Sequence, residues 1–228
     1  MGELIPAAKT KLTEAEATYA LREGWKLVFG EYPSIDSLSI LWAQSALETG
    51  RWTFIWNYNF GNIKRHDDHD YCMFRCNEVI GGKVVWFDPP DPQTWFCAYP
   101  SAVDGAREYI EFVSQRSRYK LAWAQLVAGS AIKYCAALKT AGYFTADLVS
   151  YTKGVVSLCE EFKRKAPTLL DYTPPAPPEP APEPTPEPTP EPVPAPEPTP
   201  TPQPVEPSGF SFQSILDLLS KLFSLFKK

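Results

Sequence analysis

Glu48 closes an otherwise apolar stretch, LWAQSALETGRW, at residues 41–52. A carboxylic acid can hand a proton to a glycosidic oxygen only if it stays protonated near neutral pH. That requires a raised pKa, from an apolar setting or from nearby negative charge. Glu48 has both prospects: Trp42, Ala46 and Leu47 precede it, Trp52 and Trp56 follow, and it lies in the last turn before Gly50. There the helix dipole disfavours a carboxylate. The competing reading is an exposed glutamate that happens to precede a glycine. A second set of reactive side chains stands in HDDHDYCMFRC, where His66, His69, Cys72 and Cys76 could all ligate zinc. If residues 71–80 form one strand, Cys72 and Cys76 share a face about 13 Å apart, too far for one ion. No metal or cofactor is therefore expected. A bridge between Cys76 and Cys97 on paired strands is the other use of those thiols. Asp67, Asp68 and Asp70 are alternative second acids, with a solvated loop as their ordinary explanation. Trp52, Trp56, Tyr58, Trp86 and Trp95 could stack on sugar faces or simply pack in the core.

The elements that must position these groups follow from periodicity and caps. Ala17, Leu21, Trp25 and Val28 recur at helical spacing over residues 13–30, with Thr13 as cap, and Pro33 ends the pattern. A second helix, starting near Ser34 or Ser37, runs through Leu41 and Leu47 to Gly50. Loop character follows in WNYNFGNIKRHDDHD. Next come YCMFRCNEVI, a Gly81-Gly82 turn, KVVWFD, a proline turn and TWFCAY, which read as a small antiparallel sheet. Helices resume with a capping box at Ser101 and Asp104. YKLAWAQLVAG and SAIKYCAALKTAG each stop at a glycine, and TADLVSYTKGVVSLCEEFKRK closes the body. The expected class is α+β and mainly α, a helical domain over residues 1–172 with a small antiparallel β lobe and a cleft where the two parts meet.

The remainder is not part of that body. Eighteen of the 25 prolines fall between Pro174 and Pro207, so residues 173–207 read as a disordered, extended Pro/Glu/Thr-rich linker. Residues 208–228, GFSFQSILDLLSKLFSLFKK at their core, divide into an apolar half and a polar half at 100° per residue, a lone amphipathic helix. Polar residues interrupt it too often for a spanning helix. The body retains 19 basic and 20 acidic residues, a balance that argues against nucleic acid as partner. Five scattered cysteines suit thiols in a reducing compartment better than a disulfide framework.

Four segments, in order, resemble one known family. ALETG followed by NYNFGNIK resembles the A-x-E-S/T-G and N-x-F-G-I-K segments of bacterial N-acetylglucosaminidases of glycoside hydrolase family 73, within the lysozyme-like fold. CNEVIGGKVVWF is similar to the family's β-lobe segment, FCAYPSAVDGAREYIEFV to its strand-to-helix junction, and ALKTAGYFTA to the segment near its domain end. The resemblance covers roughly residues 35–162. It implies a lysozyme-like domain in which Glu48 is the general acid and Glu78 the β-lobe carboxylate proposed as second catalytic group. Asn59, Phe60 and Gly61 would shape the substrate cleft, and Tyr143 would stand at its wall. This sequence departs from the family by the extra Asn62, by Cys76 and Cys97 where threonine and arginine are usual, and by a RHDDHD insert with no counterpart.

The expected function is peptidoglycan hydrolysis at β-1,4 glycosidic bonds of the glycan strand, of the endo-β-N-acetylglucosaminidase type. Two carboxylates about 5 Å apart would retain configuration and a wider pair would invert it, while a substrate N-acetyl group could replace the second carboxylate as nucleophile. Muramidase or lytic transglycosylase chemistry on the same fold is the alternative, as is a non-catalytic wall-binding or virion structural protein. The N-terminus shows no unbroken apolar run, so a signal peptide is not expected. A phage or prophage lysin is the reading, made in the host cytoplasm and acting at the cell wall or carried in the virion. The terminal helix would then meet a membrane surface or a virion partner.

Overall fold

The structure is a computed structural model that describes residues 2–80 and 83–175. The linker and terminal-helix expectations lie outside the described residues. Helix α1 (Glu14–Phe29) begins at Thr13 with the expected capping box, the Thr13 hydroxyl accepting from the Glu16 N–H and the Glu16 carboxylate accepting from the Thr13 N–H. It stops at Gly30 in the left-handed conformation. Helix α2 (Ile35–Glu48) is capped by Ser34 and buries ten consecutive residues from Ser37 to Ala46. Leu38, Ile40, Leu41 and Trp42 are fully enclosed, each contributing about 1.5–3 kcal/mol by leaving water. A helix buried on all sides is the centre of the domain, and the others form its walls.

Helix α6 (Leu148–Leu170) packs along α2, while α1 packs on α3 (Ala102–Gln115), whose N-cap is Ser101. Short helices α4 (Lys120–Val127) and α5 (Ala131–Thr140) close the far side. Helix α6 runs five residues beyond the expected end at Lys165 and holds Pro167 inside its last turn. One core cluster joins all six helices through Trp42, Trp52, Tyr109, Tyr134 and Phe162.

The β lobe differs from the single sheet expected. Residues 71–80 are not one strand: Phe74 and Arg75 separate β1 (Tyr71–Met73) from β2 (Cys76–Ile80). Strand β1 pairs antiparallel with β4 (Trp95–Cys97), and β2 pairs antiparallel with β3 (Lys83–Phe87), in two separate sheets. Phe74 breaks the run by turning its ring onto Phe96 at 4.3 Å and Trp56 at 5.1 Å, so apolar packing replaces ladder continuation. The Cys76–Cys97 bridge is also excluded by register, since Cys76 faces Phe87 and Cys97 faces Tyr71. All five cysteines are thiols.

The N-terminal arm has no periodicity to announce it, yet it is laid into the domain. Asn57 clamps it, its side-chain oxygen accepting from Ala8 N–H and its amide donating to Pro6 C=O, while Glu3 C=O accepts from Tyr71 N–H beside β1. Among the described residues no helix is long and apolar enough to cross a membrane.

Candidate active site

Glu48 is the last residue of α2, as the glycine stop required. Beyond it the chain is held in conformations that side chains rarely adopt: Arg51, Trp52, Asn57, Tyr58 and Asn62 all have positive φ. Each costs on the order of 1–3 kcal/mol, and such strain persists only where surrounding contacts over-determine it. Trp52 shows how. Its backbone N–H donates to Thr49 Oγ1 at 3.0 Å, its indole N–H donates to Ser45 Oγ at 2.9 Å, and its ring meets Trp42 edge-on at 5.0 Å. Trp52 is 0% exposed, so of its two readings, sugar stacking or core packing, it takes the core role.

The loop then returns to the acid. Asn62 donates its amide to the Glu48 carbonyl at 2.6 Å, supplying a donor to one of the carbonyls a helix end leaves unpaired. Asn59 spends its whole amide on the loop itself: its oxygen accepts from Ile63 N–H, and its nitrogen donates to the carbonyls of Ile63 and Cys97. It fixes the loop against β4 and is 2% exposed. Phe60 is equally buried, and its carbonyl accepts from Ser45 Oγ. Gly61 lies against aromatic rings. A Cβ there would stand 2.8 Å from Tyr109 Cδ2 and 3.0 Å from Tyr143 Oη, so glycine is demanded by space. Tyr143 in turn donates its hydroxyl to the Gly61 carbonyl. Glu48, Asn59, Phe60, Gly61 and Tyr143 are thus joined by this loop, although none of the last four hydrogen-bonds the Glu48 carboxyl.

The group that does was not singled out by sequence. Tyr151, on the first turns of α6 and 103 positions away, donates its hydroxyl to Glu48 Oε1 at 2.8 Å. Its ring is held flat against Phe144, with centroids 3.7 Å apart. A lone tyrosine in TADLVSYTKG carries no local signal of this role, because the contact exists only once α6 packs on α2. Gln44, one turn before Glu48, is a second such residue: Tyr109 and Tyr134 both donate their hydroxyls to its side-chain oxygen. Burial pushes the phenols of Tyr109, Tyr134, Tyr143 and Tyr151 far above their ordinary range, so all four stay neutral.

Glu48 itself is half-buried, open enough to meet a ligand and enclosed enough for lost hydration to dominate its ionisation. Burial raises its pKa, and the Tyr151 hydrogen bond lowers it in part. Among the described residues no cation forms an ion pair with it. A neutral phenol therefore orients the carboxyl without stabilising its anion as a guanidinium would.

Glu78 sits in β2 opposite Val85, partly exposed and paired with Lys64 Nζ at 3.3 Å. The remaining aromatics divide: Trp56 is half-buried and stacked on Phe74, Trp95 is half-buried against a tilted Tyr71 ring, Tyr58 is half-buried, and Trp86 is 53% exposed with Arg75 over its face. Asp67 pairs with His66 and Arg116, Asp70 accepts from the Glu3 N–H, and Asp68 lines a cavity beside α3. The four-residue zinc set weighed from sequence does not assemble. Cys72 is buried with Phe96 and Ala98, and the Cys76 thiol faces the Gln93 carbonyl at 3.2 Å. His66 and His69 instead meet each other and Asp67.

A family model described as glucosaminidase, mannosyl-glycoprotein endo-beta-N-acetylglucosaminidase, matches residues 31–164. No curated protein matches the chain. Among solved structures it is similar to a peptidoglycan hydrolase from Sphingomonas sp. A1, at 20% identity and a TM-score of 0.50, over 72% of this chain and 99% of that one. It is also similar to the catalytic domain of the autolysin Auto from Listeria monocytogenes, at 19% identity and a TM-score of 0.48, over 68% and 88% of the two chains. A C-terminally truncated glycoside hydrolase domain of FlgJ from Salmonella typhimurium gives 19% identity and a TM-score of 0.45, over 66% and 95%.

Proposed function

We propose, because the chain belongs to the glucosaminidase family, that it hydrolyses β-1,4 glycosidic bonds of peptidoglycan with Glu48 as general acid. The observation that carries the role of Glu48 is its carboxyl at the end of a buried helix, raised in pKa by burial and hydrogen-bonded among the described residues by Tyr151. A raised pKa favours the protonated form, which general-acid assistance to a basic leaving alkoxide needs. In this reading Glu48 gives its proton to the glycosidic oxygen as the C–O bond breaks, and positive charge develops on the ring carbon. Glu78 on β2 is the proposed second carboxylate, acting on water or on the developing cation. Asn59, Phe60 and Gly61 serve the site by shaping the loop that borders Glu48, and Tyr143 by bracing that loop at the Gly61 carbonyl.

Clearing of purified sacculi tests this directly. Glu48→Gln keeps the shape and loses the proton, so clearing should fall by on the order of 1,000-fold or more. Equal clearing by wild type and variant would defeat the assignment. Mass spectrometry of the products names the bond: reducing N-acetylglucosamine ends support the proposal, and anhydro-muropeptides would make the chain a lytic transglycosylase.

The narrower reading is a phage lysin whose terminal segment, with the apolar and polar faces of its sequence, anchors it to a membrane or to a virion. Flotation of the full chain with anionic vesicles, compared with a chain ending at residue 172, tests the membrane version. Equal flotation of both would reject it.

A further inference from the structure

The RHDDHD insert is unexplained by glycan cleavage, and it builds a second polar site on α3. Asp67 has a positive φ of 50°, which turns the loop back so that the rings of His66 and His69 meet edge-on at 4.8 Å. One ligand atom from each of His66, Asp67 and His69 lies within 4.8 Å of the others. Helix α3 supplies another donor from a different element: Glu108 Oε2 stands 3.4 Å from His69 Nε2, while its other oxygen is held by Arg107 at 2.8 Å. These residues, with Glu111, Phe112, Gln115 and Arg116, line a cavity of about 310 Å³. None of them hydrogen-bonds or ion-pairs with the Glu48 carboxyl or the loop at 59–62.

We infer that His66, Asp67, His69 and Glu108 form a binding site for a divalent transition metal of the zinc class, fastening the insert to α3. Two imidazoles and two carboxylates are a borderline donor set suited to zinc and poorly suited to magnesium or calcium, which take oxygen. Metal bonds of about 2.0–2.1 Å at tetrahedral angles put donors roughly 3.3 Å apart, the separation already present between His69 and Glu108. Asp67 closes the site. Its side chain is 74% exposed, so it can turn from Arg116 at 3.4 Å and from His66 Nδ1 at 2.7 Å onto the ion, freeing that ring nitrogen. Glu111 lines the same cavity and adds a carboxylate to its wall.

The site does not depend on the proposed glycosidase activity, and its test reads binding. The full chain, stripped with chelator, is titrated with zinc chloride by calorimetry and melted with and without the ion. One zinc per chain is expected, with the melting midpoint raised by roughly 5–10 °C at a hundredfold excess over Kd, and no response to magnesium. His66→Asn with His69→Asn should weaken binding by on the order of 100-fold and Glu108→Gln by about 10-fold, while Cys76→Ser leaves it unchanged. No zinc uptake, uptake retained by the double histidine variant, or loss in Cys76→Ser would each overturn the site. Glu108→Gln removes only one atom's chemistry, so it decides the matter should the double variant fail to fold.

Discussion

Removing the Tyr151 hydroxyl isolates what that group does for Glu48. Phenylalanine keeps the ring stack on Phe144 and deletes only the donor 2.8 Å from Glu48 Oε1. Two effects follow with known sign. A hydrogen bond between neutral partners contributes about 0.5–1.5 kcal/mol, so the acid is held less well and kcat/KM falls about two- to tenfold at its optimum. The same bond favours the carboxylate, which is why it lowers the Glu48 pKa against the larger effect of burial. Its loss therefore moves that pKa further up, and the alkaline limb of the pH profile moves to higher pH. Release of reducing ends from sacculi, measured across the pH range for both proteins, reads the two effects in one experiment. A downward shift of the alkaline limb, or no shift with the fold intact, would refute the argument. In a Glu48→Gln background the same substitution should leave the residual rate unchanged.

Other expectations follow from the same contacts. Because the folded-state pKa of Glu48 is raised, its stabilising influence is full below the ordinary carboxyl pKa of 4.5 and is lost as pH rises through the folded value; Glu48→Gln should therefore melt higher than wild type at neutral pH and lose that advantage in acid. Glu161 behaves oppositely: Arg51 and Lys165 hold its pKa down to about 2, so its stabilisation is present above 4.5 and fades as pH falls toward 2. Glu161→Gln should cost only about 0–1 kcal/mol at neutral pH, since its partners are exposed, and thermal melts of the two proteins should converge in strong acid. Gly61→Ala drives a methyl against Tyr109 and Tyr143; it should cost about 1–3 kcal/mol by denaturant unfolding and slow sacculus clearing by displacing the loop beside Glu48.

Local features of the sequence reached far into this fold. Thr13, Ser34 and Ser101 announce three helix starts because a cap is chemistry between residues two or three apart, and the glycine stop places Glu48 at the end of α2. What escaped has contacts distant in sequence. The split of residues 71–80 depends on Phe74 finding Phe96 and Trp56, which no periodicity encodes. Tyr151, Gln44 and Glu108 acquire their roles only when α6, α2 and α3 are packed. Asn62 looked like a disturbance of the loop register, yet it is the residue that ties the loop to the Glu48 carbonyl. Gly105 makes a comparable point on α3, where a Cβ would lie 2.0 Å from the Tyr58 carbonyl.

The division of the β lobe into two separate ladders has a mechanical corollary. Among the described residues β2 and β3 share a backbone ladder only with each other, with Cys76 to Gln93 and Glu78 to Lys64 as side-chain ties, and a two-stranded ribbon by itself is marginally stable in water. The arm bearing Glu78 and the exposed Trp86 is therefore held by few bonds, while Glu48 remains rooted in the most enclosed helix of the domain. Amide exchange should register this as rapid deuterium uptake over residues 76–80 and 83–87 beside a nearly silent α2.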